Sequence, residues 1–172
     1  EAREKIMAAG TRELVAIYRG IKPMIASFDL THCDESGKQE ATRCIANLEA
    51  IGEIILNEIA DRQIEAYHHS KRKKDVNYAK RYAESLKAHL FSENLTDEQV
   101  LEDVAKIPAD SDLVHIVLDT DQEIFNTTEE HTTGCEEEAE AYYHNNLRKI
   151  QFLLRRELAK RVITKESRHR FF

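Results

Sequence analysis

The sequence predicts an all-α protein, an elongated antiparallel helical bundle or long helical hairpin with coiled-coil-like packing. Three observations predict it. Apolar residues recur at steps of three and four through almost the whole chain, which is the spacing of one helix face. Breakers are scarce: 172 residues hold five glycines and two prolines, and none lies between Glu53 and Ile107. Charge is also segregated along the chain. From Ser92 to Leu147 there are sixteen acidic residues and one basic residue, Lys106. From Arg148 to Phe172 there are nine basic residues and two acidic ones, inside a formal total of −7. Such polarity pairs helices, orders subunits or steers an anionic partner.

The elements are expected as helices over about 2–29, 38–92, 97–106, 111–126 and 134–166, in one domain covering 1–172. In the first, Leu14, Ile17, Tyr18, Ile21, Ile25 and Phe28 share a face, with Gly10, Gly20 and Pro23 as points of bending or interruption. His32 to Gly37 reads as a connection, and Ser36 with Gln39 as a capping box for the next helix. That helix carries Ile45, Leu48, Ile55 and Ile59, and Ala79, Ala83, Leu86 and Leu90 resume the stripe. If continuous, it would span roughly 75 Å at about 1.5 Å per residue. Its middle, His68 to Lys74, has no apolar residue and cannot enter a core.

Thr96 with Gln99 forms a second capping box, and Pro108 closes that short helix. Leu113, Ile116, Val117 and Ile124 have helical spacing; the apolar run Leu113 to Leu118 also suits a strand, but no other segment offers it a partner. Asn126 to Gly134 reads as a break, and Thr133 with Glu136 as the cap of the last helix. That helix has the cleanest amphipathic pattern, through Ala139, Tyr143, Leu147, Ile150, Leu154, Leu158 and Val162.

Chemistry is hard to find. There is no Gly-x-Ser-x-Gly elbow and no glycine-rich phosphate loop, so an enzyme is not expected. Glu65 and His68 have the spacing of a carboxylate-bridged metal bundle, and Glu140 with His144 is one residue longer; a metal-binding bundle enzyme is the third-ranked reading. Cys33 and Cys44 lie too loosely for a zinc site, and no cofactor is expected. Three cysteines make an odd count, which favours an intracellular compartment over a secreted one. The opening on Glu1 reads as a fragment or processed product, and no apolar run approaches the roughly 20 residues of a membrane span.

What remains is assembly. The first expectation is a non-enzymatic helical scaffold or adaptor, a structural subunit of a larger complex or a homo-oligomer. Its partner face would be Tyr143, Leu147, Ile150, Leu154, Leu158 and Val162. The second is a binder of anionic surfaces, nucleic acid or membrane phosphates, through Lys71, Arg72, Lys73, Lys74, Arg155, Arg156, Arg161 and Arg168. The competing reading of those cations is that they lie beside the acidic stretch from Asp110 to Glu140 and pair with it.

Overall fold

The computed structural model describes residues 2–69, 83–129 and 137–168, and among them the only regular structure is helix. Six helices have described bounds: α1 (Ala2–Ala8), α2 (Thr11–Ala26), α3 (Glu35–His69), α4 (Asp97–Ala105), α5 (Asp110–Glu129) and α6 (Glu137–Arg168). A further helical stretch covers 83–87. The chain is therefore all-α, with its helices packed on one another. Its contacts gather into two compact units, one of Glu1–Arg62 with Val162–Phe172 and the other of Gln63–Arg161.

In the first unit the expected helix over 2–29 is divided at Gly10, which sits extended as the N-cap of α2 and brings no side-chain cap. Gly20 and Pro23 do not interrupt; α2 runs through both to Ala26. Proline has no N–H for the carbonyl four residues back. Here that carbonyl belongs to Arg19, and Pro23 itself stands in the last turn, so little helix follows the lost bond. Leu14, Val15 and Ile21 are buried, whereas Ile17 is 42% exposed. Successive residues turn by about 100°, so burial of Val15 swings the inner face away from Ile17. Across from α2, Ile55, Leu56, Ile59 and Ala60 of α3 are buried, while Ile45 and Leu48 are half-buried. A Cβ on Gly52 would stand 3.6 Å from Ile21 Cδ1 and 3.8 Å from Tyr18 Cε2, so α2 side chains pack directly over this glycine of α3.

Arginine side chains add further ties within that unit. Arg62 reaches back to α1, donating to Ala9 O at 2.7 Å and Met7 O at 3.1 Å while paired with Glu58 at 2.7 Å. A guanidinium thus supplies donors to carbonyls that the end of a short helix leaves unmet. Arg19 donates to Ile163 O at 3.0 Å. The start of α3 differs from the sequence expectation. Asp34, not Ser36, is the cap: its Oδ1 accepts from Gly37 N at 2.8 Å, and the helix begins at Glu35. An aspartate at that position competes well with a serine two residues on.

In the second unit the capping box at Thr96 and Gln99 forms as the sequence implies. Helix α5 runs past Asn126 to Glu129. Thr127 turns its hydroxyl onto Glu123 O at 2.9 Å, satisfying itself on its own helix rather than ending it. The stretch 83–87 passes into turns over 88–91, so the residues up to 92 are not regular helix. The core is formed by Leu86, Leu90, Val100, Val104, Leu113, Ile116, Val117, Leu147, Ile150, Leu154 and Leu158, all buried. Burial of such side chains stabilises by about 1.5–3 kcal/mol each before entropy is counted. Whether the helices at His69 and Ala83 are continuous, and the cap expected at Thr133, lie outside the described residues.

Candidate functional site

Helix α6 organises the second unit, and its polar residues do so as much as its apolar ones. Asn146 is 8% exposed, and its Nδ2 donates to the carbonyls of Leu90 at 3.0 Å and Ser92 at 2.7 Å, with His89 O at 3.3 Å. One turn on, Lys149 donates to Leu95 O at 2.7 Å and meets Asp97 at 3.0 Å. These two side chains hold the turn after residues 83–87 against α6. The backbone N–H of Ser92 already serves His89 O, whereas the carbonyls of Leu90, Ser92 and Leu95 take their donors from these side chains.

The basic residues further along are engaged in the same way. Arg155 pairs with Asp121 at 2.7 Å, and Gln151 donates to the other oxygen of that carboxylate at 2.6 Å. Arg161 pairs with Glu157 at 3.0 Å, stands 3.7 Å from Asp110 and donates to Val104 O at 3.4 Å. These pairs are half-buried, with side-chain exposures from 17% to 29%, which screens them less than surface pairs. The acidic stretch and the basic helix therefore meet inside this unit. Arg156 lies over the Phe152 ring at 5.8 Å, and Arg168, in the other unit, is exposed. Lys71, Arg72, Lys73 and Lys74 lie outside the described residues.

The residues expected to form a partner face are placed differently. Leu147, Ile150, Leu154 and Leu158 are buried at 4%, 2%, 0% and 0% exposure by the chain's own side chains, and Tyr143 and Val162 are half-buried. In this fold these four residues of the stripe are core.

An open cavity lies beside that stripe. It has a volume of about 400 Å³ and is floored by Leu86, Leu90, Ile116, Leu147 and Ile150. Its rim carries Glu84, Asp119 and Glu123 against Lys87. Tyr143 donates its hydroxyl to Glu123, and burial together with that carboxylate pushes the phenol above its ordinary pKa. Phe91, next in sequence to the lining residue Leu90, is 70% exposed, its ring 5.4 Å from that of Tyr143. Sequence periodicity marks the floor residues as apolar but cannot reveal that three separate segments bring them to one cavity.

Two polar clusters were also invisible to spacing. Asp103 accepts from Ser85 at 3.0 Å, His89 at 2.8 Å and Lys106 at 2.8 Å. The residue types suggest a nucleophilic triad, but the serine hydroxyl donates to the carboxylate and not to the imidazole, which is not the order of a triad. The Lys106 ammonium, ahead of the His89 and Ser85 bonds, holds the Asp103 carboxyl down at about 2 against an ordinary 3.8. A depressed carboxyl stabilises the fold above its unfolded pKa, and that stability is lost as pH falls through the folded value. Acid titration followed by circular dichroism should show stability declining between about pH 4 and pH 2, and Asp103→Asn should flatten that decline. In the other cluster Tyr67 bonds the His115 ring, and burial followed by the nearby Asp112 raises the Tyr67 pKa.

Among the described residues no group of three or more His, Cys, Asp or Glu is placed to hold a metal, and the side chains of His68 and Glu140 lie outside them. No described helix is long and apolar enough to cross a membrane. No protein-family model, curated protein or solved structure matches the chain.

Proposed function

We propose that this chain is a non-enzymatic helical scaffold or adaptor, a subunit of a larger assembly or of a homo-oligomer. The observation that carries the reading is the open apolar cleft of the second unit, with Phe91 standing 70% exposed beside it. Contiguous apolar surface rimmed by polar groups marks sites of association, and aromatic side chains are common anchors there. The same helix that floors the cleft is fixed by Asn146, Lys149, Arg155 and Arg161, so the surface is presented on a braced frame. Engagement of Arg155 and Arg161 by the chain's own carboxylates weighs against a phosphate-binding role for them. The test is purification of the native protein under non-denaturing conditions, with its mass read by light scattering. Partners or further copies are expected to accompany it, with a stoichiometry unchanged as salt rises.

A further inference from the structure

We infer that the cleft between residues 83–90, α5 and α6 receives the apolar face of a basic amphipathic helix from a partner protein; this rests on the scaffold reading and names the chemistry of its partner.

The floor is apolar and comes from three segments: Leu86 and Leu90, then Ile116, then Leu147 and Ile150. A helix docks such a groove with anchors at i, i+3 or i+4, and i+7. Phe91 follows the lining residue Leu90 in sequence and is 70% exposed, so an incoming apolar face has an aromatic side chain to meet outside the lining.

Charge selects among helices. Among the described residues lining the cleft, three are carboxylates, Glu84, Asp119 and Glu123, and one is an ammonium, Lys87. Glu123 is already taken by the Tyr143 hydroxyl. Glu84 and Asp119 are exposed, and their side chains make no ion pair or hydrogen bond among the described residues. Lysine or arginine beside the anchors of an incoming helix would meet them, whereas an acidic helix would meet repulsion. Rim charges of this kind set the choice of partner and the rate of encounter more than raw affinity.

The experiment uses the full chain and a dye-labelled synthetic peptide of about 18 residues, Leu and Ala on one face and Lys on the other. Anisotropy should show saturable binding at one peptide per chain. The double variant Glu84→Lys with Asp119→Lys should weaken it by at least about tenfold. A peptide with Glu in place of Lys should bind that variant and not the parent protein. Glu49→Lys with Glu98→Lys changes net charge equally at exposed positions that do not line the cleft, and should leave binding within about twofold. Circular dichroism of each variant checks that the helices persist. Equal loss in the control pair, or no saturable binding, overturns the inference. So does a dimer of the free chain that the Glu84 and Asp119 changes dissolve, since a second copy would then fill the cleft. A native complex that persists without peptide binding removes this inference alone; a solitary native chain that still binds peptide removes the scaffold reading alone.

Discussion

Leu154→Ala is expected to destabilise the isolated chain by about 2–5 kcal/mol. Leu154 is wholly buried, on the α6 stripe between Ile150 and Leu158, which are buried as well. Truncation removes the transfer free energy of the side chain and leaves a void that packed neighbours fill only in part. The change should appear as a lower urea midpoint at unchanged slope. Phe91→Ala, at a 70% exposed position, should instead stay within about 0.5 kcal/mol. The pair of variants separates two accounts of α6. If the stripe were an open partner face, Leu154→Ala would leave the stability of the free chain unchanged.

Asn146→Leu is expected to cost about 1–3 kcal/mol, although it places an apolar side chain of similar size on an apolar stripe. The loss is in what stays behind. The carbonyls of Leu90 and Ser92 lose their donor, and a buried acceptor without a partner carries its full desolvation penalty. The local effect should exceed the global one: amide exchange should speed up over residues 88–95 more than along α5. Unchanged exchange there would show that the carbonyls find other donors and that Asn146 does not hold the turn.

Much of the helical framework was legible because period and caps are local. The Thr96–Gln99 box, the stop before Pro108 and the apolar stripe from Leu147 to Leu158 all rest on residues within a few positions of one another. Charge segregation also pointed to internal pairing, and Arg155 with Asp121 realises it within the second unit across 34 residues of sequence. Other features depend on what lies opposite, which spacing does not encode. A stripe such as Leu147–Leu158 looks the same whether a foreign helix or α4 and α5 cover it. Asn146 offered a signal of another kind: a polar residue amid buried apolar ones, one turn from both Tyr143 and Ile150, has to bond to something. The cleft left no local trace, since its described lining comes from three segments distant in sequence.

The most direct test of the assembly account is the solution mass of the native protein, measured by light scattering from about 50 to about 500 mM salt. The account predicts a complex of fixed stoichiometry well above the 19.9 kDa of one chain, unchanged over that range. A lone chain at 19.9 kDa at every salt concentration, with no protein accompanying it, would contradict the account.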